Sequence, residues 1–249
     1  MAKAGSKKRK IIICIVSIVA VIALLFGACA VYLGDYYHAI TPAGESFGLQ
    51  DGSSLTETIK LDNGNIVCKS ENATKGLIFY PGGKVEYTAY LPLMESLAQK
   101  GILCVLVRMP FNLAVLDVNA ADGIREMFPE ITDWYIGGHS LGGSMAAAYL
   151  ENHPSDFKGL LLLAAYSTAD LSNENIKTLS IYGSNDGVLN REKYEQYRSN
   201  LPELTEYIID GGCHAYFGVY GSQDGDGTPT IDNARQINLT ADAVAKWVG

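Results

Sequence analysis

The chain has 249 residues, of which 48% are apolar and 18% are charged, and its formal net charge is −8. A chain of this length can bury one sizeable core but is short for two enzyme domains, so we expect one globular domain with an appendage. Beyond residue 34 it carries 14 basic and 27 acidic residues, a net charge of about −13. Such an acidic domain argues against nucleic-acid binding.

The appendage is an apolar run at the N-terminus. Ile11–Leu33 contains no Asp, Glu, Lys, Arg or His, and five basic residues precede it: Lys3, Lys7, Lys8, Arg9 and Lys10. At about 1.5 Å per residue a helix of this length reaches about 34 Å, enough to cross a hydrocarbon core of about 30 Å. The basic cluster predicts a cytoplasmic tail at 1–10, a single transmembrane anchor at 11–33 in the cell membrane, and the remainder of the chain outside the cytoplasm.

Cleavage within this run is the alternative. Phe26-Gly27-Ala28-Cys29 loosely resembles the site at which bacterial lipoproteins are cut and acylated, although a smaller aliphatic residue usually stands in place of Phe26. The apolar region of a cleaved signal is typically only about 7–15 residues long, and this run is longer. The sequence therefore favours an uncleaved anchor over a chain that begins at a lipid-modified Cys29.

The pattern beyond the anchor predicts an α/β domain. Residues 34–54 are rich in Gly, Ser, Thr and Pro without periodicity, which is typical of a stalk. The domain, 55–249, opens with two β-like runs, Thr56–Lys60 and Asn65–Lys69, around the hairpin signal Asp62-Asn63-Gly64. Short apolar runs then alternate with amphipathic stretches, which predicts a doubly wound, mostly parallel sheet with helices on both faces.

Six further strands and five helices follow from this alternation. The predicted strands are Gly76–Tyr80, Ile102–Arg108, Trp134–Gly138, Phe157–Ala165, Thr178–Tyr182 and Glu206–Asp210. The predicted helices are Pro92–Lys100, Ala120–Phe128, Leu141–Asn152, Arg191–Asn200 and Thr240–Val248. Ligands of such sheets bind outside the carboxyl ends of the strands, so the residues that carry chemistry are expected there.

The segment Gly138-His139-Ser140-Leu141-Gly142 matches G-x-S-x-G between a predicted strand and a helix of small residues. In that context the sharp turn strains the serine backbone and exposes its hydroxyl above the sheet, so the flanking positions must be glycine. The positive end of the helix dipole also favours an anionic intermediate. We therefore predict that Ser140 is a nucleophile.

An activated serine needs a base and an orienting acid after later strands. Among the four histidines only His214, in Gly211-Gly212-Cys213-His214, follows the last predicted strand. Asp186 comes directly after the strand that ends at Tyr182, and we favour it as the acid over Asp170, which follows the preceding strand. The oxyanion hole needs two backbone N–H groups, which we assign to Leu141 and to either Gly83 or Lys84.

Four segments carry a resemblance to a known family: Pro81-Gly82-Gly83-Lys84-Val85, Arg108-Met109-Pro110, Gly137 to Gly143, and Gly212 to Gly218. Together they resemble the small bacterial α/β-hydrolases often grouped with dienelactone-hydrolase-like proteins, from about Gly76 to the C-terminus. The resemblance implies the α/β-hydrolase fold, no cofactor, and a triad of Ser140, Asp186 and His214. Dienelactone hydrolases proper use a cysteine nucleophile, so the serine argues for a general esterase-like activity.

We expect the domain to cleave a carboxylic ester or related acyl bond of a small substrate through an acyl-enzyme, while residues 11–33 contact the lipid bilayer. Acyl transfer or peptide cleavage on the same triad stays open, as does a non-catalytic, membrane-tethered binding module with this fold. No metal is predicted. Asp224-Gly225-Asp226-Gly227 hints at a calcium loop but lacks the later ligands of an EF-hand, so a flexible loop near His214 is favoured.

Overall fold

A computed structural model describes residues 3–40 and 56–249, with side chains described for 12–40 and 56–249. Residues 1–2 of the predicted tail and 41–54 of the predicted stalk lie outside the described residues. The chain divides into two units, Met1–Tyr36 and Tyr37–Gly249. The predicted domain boundaries stay a prediction, but Tyr37–Ile40, within the predicted stalk, belong to the second unit.

The first unit contains one long helix, α1, Lys3–Gly34. Within it, Ile12–Gly34 has 23 residues and a mean hydropathy of 3.0, so it is long and apolar enough to cross a membrane. Large apolar side chains are exposed along it, among them Leu24, Phe26 and Val31, each more than 70% exposed. The predicted N-terminal apolar helix is confirmed, although a signal sequence near an N-terminus has the same length and composition.

The second unit is built on an eight-stranded sheet in the order β1-β2-β4-β3-β5-β6-β7-β8. The strands are β1 Thr56–Lys60, β2 Ile66–Ser70, β3 Lys75–Tyr80, β4 Ile102–Leu106, β5 Asp133–His139, β6 Gly159–Leu163, β7 Lys177–Gly183 and β8 Leu204–Ile209. β1 and β2 form an antiparallel hairpin, and β2 pairs antiparallel with β4, whereas all pairs from β4 through β8 are parallel. The predicted hairpin and mostly parallel sheet are confirmed.

The strand order reverses at β3. From β3 the chain crosses to β4 on one side, and β5 then pairs with the other side of β3, so that Tyr80 lies opposite Gly138. The carboxyl ends of β3 and β5 therefore meet at a topological switch point, where open α/β sheets bind their ligands.

Helices cover both faces of this sheet. They are α2 Leu91–Gln99, α3 Leu141–Asn152, α4 Arg191–Tyr197 and α5 Asn233–Val248. The buried side chains of α2 and α5 share one apolar cluster on one face, and those of α3 belong to a second cluster on the other face. Because helices cover both sides of the central strands, β3 to β7 are buried along almost their whole length, whereas the edge strand β8 is only partly buried.

Two predicted helices differ from the structure. The helix predicted at Ala120–Phe128 is wrong: this stretch forms turns and one short 3-10 segment, Arg125–Met127. Gly123 has φ +74°, outside the helical region, and the N–H of Ala121 donates to the hydroxyl of Tyr80 instead of to a helical carbonyl. At the C-terminus, α5 begins seven residues before the predicted Thr240, because the carboxylate of Asp232 caps it by accepting from the N–H of Arg235.

Candidate active site

Ser140 stands at the junction of β5 and α3, with φ 51° and ψ −124°. This strained conformation for a residue other than glycine is what a strand-to-helix elbow imposes on the serine. A Cβ atom on Gly138 or on Gly142 would lie 2.4 Å and 2.3 Å, respectively, from the carbonyl oxygen of Tyr80. Glycine is therefore required on both sides of the serine, because the elbow is pressed against the end of β3.

The structure brings Asp186 and His214 together. Asp186 follows β7, His214 follows β8, and the Nδ1 atom of His214 lies 3.0 Å from Oδ2 of Asp186, with both side chains almost fully buried. The other carboxylate oxygen, Oδ1, accepts the N–H groups of Val188 and Leu189 at 2.9 and 2.8 Å. Because both oxygens accept, the carboxylate is held in one orientation and Nδ1 of the histidine is the protonated nitrogen.

The other ring nitrogen of the histidine has no protein partner. His214 Nε2 is buried and makes no hydrogen bond to any residue that the structure describes. Ser140 and His214 line the same cavity, which has a volume of about 260 Å³. The unprotonated nitrogen therefore has a free acceptor position in a residue that lies beside the serine.

Asp170, the competing acid, is fully exposed. Its carboxylate accepts the N–H of Ser172 at 3.1 Å in a local turn, and the bonds from the side chain and then the N–H of Ser172 lower the pKa of Asp170. No contact between Asp170 and His214 occurs within the described parts of the chain. The geometry thus favours Asp186 as the partner of the histidine.

The two predicted oxyanion donors lie next to each other. Leu141 is the first residue of α3, where an N–H has no partner within its own helix. A Cβ atom on Gly83 would lie 2.8 Å from Cδ2 of Leu141, so Gly83 lies directly against the Leu141 side chain. The N–H of Lys84 donates to the carbonyl of Asn112 at 2.8 Å, which leaves Gly83 as the better second donor.

The turn that carries Gly83 is held by the N-terminal segment of the second unit, Tyr37–Gly249. Lys84 adopts a left-handed φ of 57°, and its carbonyl accepts the N–H of Tyr37 at 2.8 Å. The carbonyl of Tyr37 in turn accepts the N–H of Glu86, also at 2.8 Å, and Tyr37 forms a parallel bridge with Val85. A strained turn persists only where several contacts hold it in place. These bonds therefore fix the position of the Gly83 N–H.

Sequence reasoning assigned no role to His139 beyond its place in the elbow, yet it contacts both halves of the site. Its buried ring lies 4.5 Å from the ring of His214, between centroids. Its Nδ1 atom lies 2.8 Å from the hydroxyl of Tyr90, which also accepts the N–H of Gly82 at 3.1 Å. Burial holds the pKa of His139 well below its ordinary value, so this ring is neutral. The bond to Tyr90 joins residues 49 positions apart in the chain, and no local pattern in the sequence indicates it.

The described residues contain no group of three or more His, Cys, Asp or Glu side chains placed to hold a metal ion. The site holds a serine beside a buried histidine–aspartate pair, the side chains that nucleophilic catalysis requires.

Three solved structures show the same fold at low identity. Carboxyl esterase 2 from the mycorrhizal fungus Tuber melanosporum matches with a TM-score of 0.58 and 12% identity, over 85% of this chain and 91% of that one. A predicted CIB-like hydrolase from Thermoplasma acidophilum matches with a TM-score of 0.54 and 16% identity, over 78% and 99%. An esterase from Pyrobaculum calidifontis matches with a TM-score of 0.55 and 14% identity, over 80% and 86%.

At the level of sequence, no curated protein matches the chain significantly. The profile of the alpha/beta hydrolase family matches residues 76–238, which include the elbow, the acid loop and the histidine loop. With the strand order and the serine elbow described above, this match means that the chain belongs to the alpha/beta hydrolase family.

Proposed function

We propose that the protein is a serine hydrolase that cleaves a carboxylic ester through an acyl-enzyme, with Ser140, Asp186 and His214 as its triad. The observation that carries this proposal is the buried contact of 3.0 Å between His214 and Asp186 beside the strained elbow serine. The esterases among the structural relatives agree with this chemistry.

In the first half of the reaction, the Oγ atom of Ser140 attacks the ester carbonyl while Nε2 of His214 takes the hydroxyl proton. Asp186 keeps Nδ1 protonated and stabilises the imidazolium that forms. The N–H groups of Leu141 and Gly83 stabilise the negative charge on the carbonyl oxygen. The tetrahedral intermediate then collapses, and the histidine gives its proton to the departing alcohol.

The second half repeats these steps with water. His214 takes a proton from a water molecule, which attacks the acyl carbon, and the tetrahedral intermediate releases the acid and returns the proton to Ser140. Transfer to another alcohol or amine would follow the same path, and product analysis in the presence of such acceptors distinguishes it from hydrolysis.

The cavity beside the serine indicates a short, neutral acyl or alcohol group. It encloses about 260 Å³, and apolar side chains dominate its lining: Leu141, Ala164, Ala165, Tyr166, Val188 and Leu189. Among the described residues that line it, none is an acid or a lysine or arginine, so nothing there would pair with a charged substrate group. Short aliphatic esters fit this site better than substrates that carry a carboxylate.

A reactive fluorophosphonate tests the proposal without knowledge of the natural substrate. We expect the full chain to be labelled at Ser140 and to hydrolyse short p-nitrophenyl esters faster than long ones. Ser140→Ala should abolish labelling and lower kcat by about 10⁴- to 10⁶-fold. Ser172→Ala, which removes an exposed serine hydroxyl, is the matched control and should leave both unchanged. A folded wild type that is not labelled would mean a binding module that only retains the fold.

We further propose that Ile12–Gly34 anchors the enzyme in the cell membrane with its catalytic unit outside the cytoplasm. The exposed apolar helix, which would be costly in water, and the basic residues before it support this orientation. Protease added outside intact cells should remove the catalytic unit and spare an N-terminal fragment that begins at Met1. A mature chain that begins at a lipid-modified Cys29 would instead identify the helix as a cleaved signal.

A further inference from the structure

The loop after His214 contains a carboxylate that the proposed mechanism does not use. Asp226 is half-buried, and its Oδ1 atom accepts three main-chain N–H groups: those of Gly187 at 3.1 Å, His214 at 3.1 Å and Gly227 at 2.8 Å. Its Oδ2 atom accepts the N–H of Ala215 at 2.8 Å. Four donors therefore converge on one side chain.

Three of these four donors come from the two loops that carry the acid and the base. Gly187 directly follows Asp186, and the other loop contributes the N–H groups of His214 itself and of Ala215. The carboxylate thus connects the main chain on both sides of the contact between Asp186 and His214. A shift of either loop would stretch at least one of these bonds.

The surrounding backbone is packed closely enough to keep this arrangement. A Cβ atom on Gly187 would lie 2.5 Å from the carbonyl oxygen of Gly225, and one on Gly227 would lie 1.8 Å from that of Asn185. The side-chain amide of Asn185 also donates to the carbonyl of Thr228 at 2.9 Å. The segment 225–228 therefore lies directly on the acid loop, and glycine is required at both points of contact.

The side chain is ionised in this setting. Burial raises the pKa of Asp226, but its bonds to four N–H groups outweigh burial and hold the pKa below its ordinary value. Because both oxygens already accept from main-chain donors, they are poorly available to a cation. The acidic, glycine-rich motif at 224–227 is thus explained by main-chain binding without calcium.

We propose that Asp226 is a positioning residue, which sets the distance and orientation of His214 relative to Asp186 by binding the main chain of both loops. This inference rests on the proposed serine mechanism, since it concerns the base and acid of that reaction. Asp226 acts through the loops and touches no reacting atom. Its removal should therefore lower the rate of the chemical step more than the binding of substrate.

The test compares Asp226→Asn with Asp224→Asn in the full chain. Both variants remove one negative charge from the same loop, but Asp224 is exposed, and within the described residues its side chain makes no hydrogen bond, whereas its main-chain N–H donates to the hydroxyl of Tyr37. In Asp226→Asn an amide NH₂ group replaces one carboxylate oxygen. This group cannot accept the hydrogen bond that a main-chain N–H donates to the carboxylate in wild type. We expect a fall of about 10- to 100-fold in kcat and in the fluorophosphonate labelling rate, with KM changed by less than about threefold. Asp224→Asn should stay within about twofold of wild type in all three quantities.

A double-mutant cycle separates positioning from a general structural role. If Asp226 acts through the histidine, Asp226→Asn should cause no further loss of residual activity in a His214→Ala background. Equal losses in both backgrounds, or an unchanged kcat in the folded single variant, would overturn the proposal. If Asp226→Asn does not fold, the main-chain amide of Ala215 can be replaced by an ester, which deletes the N–H that donates to Asp226. The same fall in kcat is then expected.

The labelling experiment separates this inference from the serine mechanism. A wild type that is not labelled would overturn both. A labelled wild type with an equally labelled Asp226→Asn variant would overturn the inference alone.

Discussion

The two sides of the proposed active site are held in different ways. On the proposed oxyanion side, the turn that carries Gly83 is fixed by the N–H of Tyr37, which donates to Lys84, and by the carbonyl of Asn112 and the hydroxyl of Tyr90, which accept from this turn. On the histidine side, two carboxylates, those of Asp186 and Asp226, accept the N–H groups that set the loops.

This difference predicts how each side responds to substitution. Bonds to a charged acceptor are stronger than those between neutral groups, so one side chain on the histidine side controls several contacts. On the oxyanion side the bonds come mainly from backbone atoms of separate segments, which most side-chain changes leave in place. The histidine side should therefore be sensitive to single side chains, and the oxyanion side to changes of the backbone.

In the comparison of the two sides, the largest fall in kcat is expected from substitution of the acid. Asp186→Asn should lower kcat by about 10⁴-fold, because the amide no longer holds His214 in the tautomer that accepts a proton at Nε2. Asp170→Asn, an exposed aspartate in a turn, is the control and should change kcat by less than about twofold. Steady-state hydrolysis of a short p-nitrophenyl ester measures both. The opposite order of effects would move the acid to Asp170.

A smaller loss is expected from a backbone change on the oxyanion side. Tyr37→Pro removes the N–H that the Lys84 carbonyl accepts, so the turn with Gly83 is less firmly held and kcat should fall by about 10- to 100-fold. Leu61→Pro also deletes one main-chain bond, from Leu61 to Asn65 in the β1–β2 hairpin, but it lies away from the site. This control should lower thermal stability and leave kcat nearly unchanged.

The same bonds set how far the N-terminus can be shortened. A chain that starts at Tyr37 keeps the bonds to Lys84 and Glu86, whereas one that starts at residue 41 loses them together with the bond from Ile40 to Val219. We expect the longer product to retain the kcat of the full chain and the shorter one to lose it to about the extent of Tyr37→Pro. Equal activity of the two products would show that Tyr37–Ile40 do not support the site.

Local signals in the sequence predicted much of this site. A G-x-S-x-G between a strand and a helix, an aspartate after β7 and a histidine after β8 each depend on a short stretch of chain and on strand order. Buried parallel strands are mostly apolar, so the predicted bounds of β3 to β7 lie within a few residues of the observed ones. The family and the fold follow from these features together with the family profile.

Contacts between distant segments could not be predicted in this way. Tyr37 lies in a stretch whose composition is that of a stalk, and its bonds to Lys84 and Glu86 involve main-chain atoms, which carry no residue preference. The four N–H groups on Asp226 likewise come from three segments that only the fold brings together. Helical spacing at Ala120–Phe128 was misleading, because the tertiary contact with Tyr80 overrode it.

The smallest expected effect concerns His139, which contacts both sides of the site. Its Nδ1 atom binds the hydroxyl of Tyr90 on the oxyanion side, and its ring packs against His214 on the other. Burial holds the pKa of His139 well below the value of about 6.5 that an unfolded histidine has. Below that pH the unfolded chain therefore binds a proton at this position that the folded protein does not.

The sign of the pH dependence follows from this difference in bound protons. The stabilising contribution of neutral His139 is complete above about pH 6.5 and is lost as the pH falls towards its lowered pKa in the folded state, by up to about 1.4 kcal/mol per pH unit. In His139→Gln no proton can bind, so its free energy of unfolding should fall less than that of wild type between about pH 7 and pH 5. His38→Gln, at an exposed histidine, should retain the steeper fall of wild type. Denaturant unfolding between pH 7 and pH 5 measures how the free energy of unfolding of the three proteins depends on pH. Parallel curves for wild type and His139→Gln would mean that His139 takes up a proton in the folded protein. That outcome would contradict the prediction.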